Sequence, residues 1–209
     1  MITDKIDTGL YRIKVPFQDL NTTVYVAVYG DGVAIIDSAT YPSDAVNYVI
    51  PALTELGIDR SRVKYILLTH RHGDHSGGAY ALSAYFSTAM VGAIHPMNLE
   101  NYFRIKDGDE FLGGLRVVSL PGHTEDCVGY LDTRTNTLLS GDCLQLKGVG
   151  KYRNGVSDRV AYAGSVNKLM SMDIDRIVAA HEYDPLGSIA EGREGVRNYL
   201  KTCLDVLGI

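Results

Sequence analysis

The sequence predicts an α/β protein built of sheets covered by helices. Three observations carry this. Short β-branched and apolar runs recur along most of the chain. Stretches with helical periodicity interrupt them. Polar, histidine-rich clusters stand where apolar runs end, the usual position of functional groups on a strand scaffold.

Taken in order, residues 10–15 alternate, 23–29 are β-branched and aromatic, and 33–37 are short and apolar, so three strands are expected. Gly30-Asp31-Gly32 between the last two reads as a hairpin turn. Residues 42–56 predict a helix with Ala45, Val46, Val49, Leu53 and Leu56 on one face, kinked at Pro51. Residues 63–68 form a buried strand that runs into Thr69-His70-Arg71-His72-Gly73-Asp74-His75, and a helix follows over 76–86. Further strands are expected at 89–94, Leu115–Ser119, Val128–Asp132, 137–140 and 176–179, with helices at 160–170 and 189–207.

A chain of 209 residues, 45% hydrophobic, supports one domain over 1–209, or two fused halves sharing a layered core. The net charge of −5 comes without a run of Lys or Arg, so no electrostatic footprint for nucleic acid is expected, while a small anionic substrate remains compatible. Met1-Ile2-Thr3-Asp4-Lys5 lacks the basic-then-apolar pattern of a signal peptide. No apolar run approaches the roughly 20 residues that span a bilayer. Cys127, Cys143 and Cys203 form no CxxC pair and no disulfide framework. These features together lead us to expect a cytoplasmic setting and no membrane partner.

Three of the six histidines fall within His70-x-His72-x-Asp74-His75. Alternate residues of an extended segment point the same way, so a strand running into a loop can present His70 and His72 together. Gly73 lets the backbone turn, so Asp74 and His75 face a neighbouring position. Imidazole and carboxylate are ordinary ligands for zinc or iron, but four ligands are too few for two ions. Three candidates stand in similar settings: His123 in Pro121-Gly122-His123-Thr124, Asp142 in Ser140-Gly141-Asp142, and His181 after the strand at 176–179. Each caps an apolar strand. A lone histidine is more often a core or surface residue, whereas five histidines in ordered motifs are not; His95, in Ile94-His95-Pro96, is read as a surface residue or one that supports a site from behind. Cys143 and Cys127 are read as buried thiols and Cys203 as helix packing.

HxHxDH, then PGHT, then SGD, then a final histidine after a strand resembles the ordered motif set of the metallo-β-lactamase superfamily, over nearly the whole chain. The resemblance implies a four-layer αββα sandwich. It implies two divalent metal ions, zinc with iron or manganese as alternatives. By matching position, His70, His72 and His123 would hold one ion, Asp74, His75 and His181 the other, and Asp142 would bridge them. Asp37 matches an early aspartate that supports the ligand loop, and Asp74 is the candidate proton acceptor.

Two ions about 3.5–4 Å apart can hold a bridging hydroxide and polarise a carbonyl oxygen, so hydrolysis is the chemistry the resemblance implies. No G-x-S-x-G elbow or Walker-type loop offers a rival. Gly141-Asp142-Cys143-Leu144 leading to Gly148-Val149-Gly150-Lys151-Tyr152, and Ala180-His181-Glu182-Tyr183, resemble two stretches of glyoxalase II, a glutathione thioesterase. Lys151 and Tyr183 match positions that contact the glutathione part of its substrate. Val149 stands where that pattern has cysteine, Arg153 where it often has tyrosine, and Gly187 where an asparagine is expected. With only about 25 residues after His181, no counterpart of the helical domain that completes glutathione recognition is expected. A thioesterase or lactonase acting on a smaller ester is therefore expected. An iron-dependent persulfide dioxygenase, whose PGHTxxC stretch resembles Pro121 to Cys127, is the alternative, and a non-catalytic metal-binding sensor ranks below both.

Overall fold

The computed structural model describes residues 2–144, 156–183, 187–205 and 207. The chain divides into two compact units, one of residues 1–105 and 111–113, the other of 106–110 and 114–209. No helix among the described residues is long and apolar enough to cross a membrane.

The first unit holds a seven-stranded sheet in sequence order. β1 (Ile2–Asp7), β2 (Leu10–Phe17), β3 (Leu20–Tyr29) and β4 (Gly32–Ile36) form an antiparallel meander. β5 (Val63–Leu67), β6 (Met90–Ala93) and β7 (Tyr102–Arg104) extend it in parallel. Gly30 and Asp31 make the expected hairpin between β3 and β4. One sheet face is a row of alternate residues, Ile13 and Val15, Val24 and Val26, Val33 and Ile35. They pack on Ala45, Val49, Ala52, Leu53, Leu82 and Phe86 from the helices. On β5 the inward residues are Val63 and Ile66, three apart, because the pairing skips Lys64 and resets the alternation.

The first helical stretch runs as α1 (Pro42–Asp44), a π turn (Ala45–Val49) and α2 (Ile50–Glu55). The kink expected at Pro51 takes the form of this π turn, in which the Ile50 N–H donates to the Ala45 carbonyl. Pro51 has no N–H for the next α-helical bond, and the wider turn absorbs the misfit. The turn also shifts the buried face. Val46, expected on it, is exposed, and Ala52 takes its place.

The second unit holds a six-stranded sheet, ordered β13-β12-β11-β10-β9-β8. β8 (Glu110–Phe111), β9 (Leu115–Ser119), β10 (Val128–Asp132) and β11 (Thr137–Gly141) are followed by α5 (Arg159–Met170). β12 (Arg176–Tyr183) then pairs in parallel with β11 and antiparallel with β13 (Gly187–Glu191). α6 (Gly192–Asp205) closes the fold. The helix expected over 189–207 is thus corrected at its start. Residues 187–191 form a strand that pairs the β12 edge, with Ser188 and Ala190 inward, and Gly192 at φ +71° ends it. Asp158 caps α5, its carboxylate accepting from the Val160 and Ala161 amides. Val166, Leu169, Val196, Leu200 and Cys203 join α5 and α6 to sheet residues such as Val118, Leu138 and Ile177.

Candidate metal centre

In the first unit the candidate ligands stand where β5 ends. His70 is fully buried, and the rings of His70 and His72 lie 4.7 Å apart, with ring nitrogens within 4.8 Å of each other. Asp74 and His75 lie in α3 (Gly73–Ser76), one helical turn that starts directly after His72. His75 is 0% exposed, and its Nε2 stands 3.4 Å from Asp74 Oδ2. The turn is fastened at both ends. The Ser38 N–H and hydroxyl both donate to the His75 carbonyl, and the Thr22 hydroxyl donates to that of Asp74.

Asp37 lies just beyond β4, its N–H donating to the Leu67 carbonyl of the neighbouring strand. Its φ of +65° and that of Ala39, +63°, are left-handed, which costs roughly 1–2 kcal/mol per residue. That turn aims the carboxylate at the ligand loop, where Oδ1 accepts the Thr69 N–H at 2.8 Å and Oδ2 contacts His75 Nδ1 at 2.7 Å. A proton on Nδ1 is required there, because the carboxylate only accepts. In a neutral ring Nε2 then carries the lone pair, facing a carboxylate oxygen of Asp74. Two acceptors at 3.4 Å attract only with positive charge between them, a proton or a metal ion. The donor set therefore fits a divalent cation.

Two glycines that the sequence reading passed over hold this loop close to the strand ends. A Cβ on Gly77 would stand 1.8 Å from the Thr40 carbonyl oxygen, and one on Gly78 would stand 2.1 Å from that of Ser38. Two adjacent glycines after a ligand motif and before α4 (Ala79–Tyr85) are the signal in the sequence.

The second unit carries the other three candidates. Gly122, at φ +143°, lets the chain turn under the start of α5, and a Cβ there would meet the Tyr162 backbone at 2.5 Å. Its carbonyl accepts from the Ser157 and Asp158 amides, which fixes the approach to His123. Asp142 follows β11 in a turn closed by the Cys143 N–H donating to the Ser140 carbonyl. His181 lies on β12 beyond Ala179, the last residue paired with β11, in the stretch where the register with β13 shifts between Val178 and Tyr183. Asp142 offers one oxygen to each histidine: Oδ1 stands 3.2 Å from His181 Nε2 and Oδ2 3.7 Å from His123 Nε2. A carboxylate with its two oxygens turned to different ligands is suited to bridging.

The thiols behave as expected. Cys127, Cys143 and Cys203 are fully buried in the core of this unit, with Cys127 Sγ 3.2 Å from the Thr124 hydroxyl. Burial pushes the Cys203 thiol up to about 12, only partly offset by a hydrogen bond with Tyr162, so it stays protonated and inert. Lys151 and the side chain of Tyr183 lie outside the described residues; Tyr183 is the last residue of β12. His95 belongs to neither metal-capable cluster among the described residues.

Two mixed sheets with helices and clustered histidine and aspartate ligands define a metal-site class of α/β protein, and comparison with known proteins makes it specific. Residues 18–103 match the family model described as the metallo-beta-lactamase superfamily. A hydroxyacylglutathione hydrolase of Shewanella baltica is 29% identical over 177 residues, covering 79% of this chain and 59% of that protein. An uncharacterized protein, YobT, of Bacillus subtilis is 30% identical over 59% of this chain and 62% of its own length. The chain spans about six-tenths of these curated relatives. Among solved structures, a B3 metallo-beta-lactamase with an active-site glutamic acid matches with a TM-score of 0.77 at 20% identity, over 100% of this chain and 89% of that one. A metallo-beta-lactamase family protein of Thermus thermophilus matches at 0.71 and 23% identity, over 94% and 80%. The chain carries a metallo-β-lactamase superfamily domain and has that fold, as its motifs lead one to expect. The matched span contains His70 to His75; His123, Asp142 and His181 lie beyond it.

Proposed function

We propose that the ligand sets of the two units form one dinuclear centre in a single functional domain, and that the protein is a metal-dependent hydrolase of a thioester, lactone or related ester. His70, His72 and His123 would hold one ion, Asp74, His75 and His181 the other, with Asp142 between them. The observation that carries this is the donor chemistry. Asp37 accepts a hydrogen bond from His75 Nδ1–H, which turns the Nε2 lone pair to the Asp74 carboxylate, while Asp142 directs separate oxygens to His123 and His181. Zinc, iron or manganese suits these nitrogen and oxygen donors. When bound, such a pair of ions supplies hydroxide at neutral pH and polarises the carbonyl under attack.

The chain's own residues do the rest. Asp37 holds the ligand loop in the geometry that directs lone pairs at the centre. Asp74, whose side chain is 14% exposed against 0% for His75, is the carboxylate in this set best able to accept a proton from the site and pass it to solvent. The hydroxyacylglutathione hydrolase relatives support an ester or thioester substrate. The chain's −5 charge without a basic run supports a small molecule over nucleic acid, and we place the reaction in the cytoplasm, away from a membrane partner.

Lys151 and Tyr183 are the proposed contacts to an anionic tail of that substrate. A lysine ammonium suits a carboxylate or phosphate, and a tyrosine hydroxyl can share the same group. Hydrolysis of a thioester and lactone panel with charged and neutral tails tests the reading. The metal-loaded protein should turn over at least one thioester or lactone. Lys151→Ala and Tyr183→Phe should each raise KM for the anionic substrate by about 10- to 150-fold, the equivalent of the roughly 1.5–3 kcal/mol of a hydrogen bond to a charged group. Metal content and kcat should change little. Equal losses with both tails, or none, remove these residues from the site, and no turnover of any ester would contradict the hydrolase.

A further inference from the structure

His70 and His75 stand in adjacent positions at the end of β5, with ring centroids 4.3 Å apart, and their Nδ1 atoms both lead back to Asp37. For His75 the contact is direct. For His70 it passes through Thr69, whose hydroxyl lies 2.9 Å from Asp37 Oδ2 and 3.1 Å from His70 Nδ1. We propose that Thr69 is a positioning residue that relays Asp37 to His70, so that one buried carboxylate fixes the ring tautomer of two ligands serving different ions. The assignment of those ligands to two ions rests on the dinuclear reading above; the relay itself does not.

The tautomers follow from the number of protons these groups can share. A hydroxyl has one, and a carboxylate has none to give. Asp37 Oδ1 accepts the Thr69 backbone N–H, and Oδ2 lies within hydrogen-bond distance of both the Thr69 hydroxyl and His75 Nδ1. The Thr69 proton goes to Oδ2, because a hydrogen bond to a charged acceptor is about twice as strong as one to a neutral ring nitrogen. Towards His70 the hydroxyl oxygen can then only accept. The donor is His70 Nδ1–H, and the lone pair sits on Nε2. With the proton on the other nitrogen, Nε2 could not ligate a metal. Asp37, Thr69, His70 and His75 are each at most 1% exposed, so water does not stand in for a missing partner. The left-handed backbone at Asp37 is what brings its carboxylate to the loop.

Thr69→Val keeps the shape and removes the relay; Thr69→Ser keeps the hydroxyl. In metal-free protein with 15N-labelled histidine, at mildly alkaline pH, the wild-type His70 and His75 rings should both be protonated at Nδ1. In Thr69→Val, His70 should move to a mixture of tautomers while His75 keeps Nδ1–H, and Thr69→Ser should match the wild type. In a zinc-chelator competition Thr69→Val should weaken one of two binding events about 10–100-fold, the usual loss when a ligand's outer partner is removed. Thr69→Ser should restore it. A wild-type His70 protonated at Nε2 overturns the proposal, as does a Thr69→Val protein with unchanged tautomer and zinc affinity. If Thr69→Val does not fold, the wild-type and Thr69→Ser spectra decide. A wild type that binds a single zinc sinks the dinuclear reading instead, and the metal-free spectra still settle the relay.

Discussion

Asp142→Ala should lower kcat/KM by more than about 100-fold, beyond the upper end of what losing an outer partner of a ligand costs. The reason is its double contact. One oxygen stands 3.2 Å from His181 Nε2 and the other 3.7 Å from His123 Nε2, so on the proposed assignment a single side chain serves both ions. Removing it leaves neither ion its full set and frees their separation. The fold should survive, because the turn around it is closed by the Cys143 N–H to the Ser140 carbonyl, which needs no side chain. Circular dichroism and metal content, measured beside the rate, separate the cases. Weak metal binding with intact structure is the expected outcome, and a fully active variant would remove Asp142 from the mechanism. Asp74→Ala should be severe for a related reason, since it takes away both a ligand and the proposed proton acceptor.

The largest stability loss should come from Gly77→Ala. A methyl group at this position meets the Thr40 carbonyl oxygen at 1.8 Å and that of Gly73 at 2.6 Å, and both are backbone atoms that cannot swing aside. Relief requires the loop after α3 to move away from residues 38–40, which also carry the bond from Ser38 to the His75 carbonyl. Overpacking of this kind costs up to about 3 kcal/mol, or roughly 6–12 °C in Tm for a chain of this size. Metal affinity should fall with it, because the same movement displaces His75. Gly164→Ala is the control of opposite sign. Gly164 is an exposed residue of α5 with open space around its Cα, and alanine there should stabilise by up to about 1 kcal/mol. A Gly77→Ala protein as stable as the parent would show that the loop has slack the close packing denies.

How much of this was legible in the chain follows from where the information lies. The strands with dense apolar runs, Leu115–Ser119 and Val128–Asp132, stand where the sequence puts them, because burial of every second or every residue leaves a direct pattern. β1 was not legible. Its residues Ile2–Asp7 include Asp4, Lys5 and Asp7, and it is held at the sheet edge by pairing with β2 rather than by an apolar face of its own. β13 was hidden for another reason. Its five residues run into the periodic stretch of α6, and only the left-handed φ at Gly192 separates them. The candidate ligands could be singled out because spacing such as HxHxDH is a local property of the chain. Their support was only partly so. Asp37 is 32 residues from Thr69 and 38 from His75, and nothing local in Ile35-Ile36-Asp37-Ser38 says which loop its carboxylate will meet. Thr69 looks in the sequence like one more β-branched residue at a strand end; its part depends on two partners fixed only by the fold.

The central claim is that seven side chains hold two ions for hydrolysis, and the most direct measurement is metal content of protein purified without chelators, with oxygen uptake recorded during turnover. The account predicts about two divalent ions per chain, zinc or a mixture of zinc, iron and manganese, and ester or thioester cleavage without oxygen consumption. A content near one ion per chain, all iron, with oxygen consumed on a persulfide substrate, would contradict it.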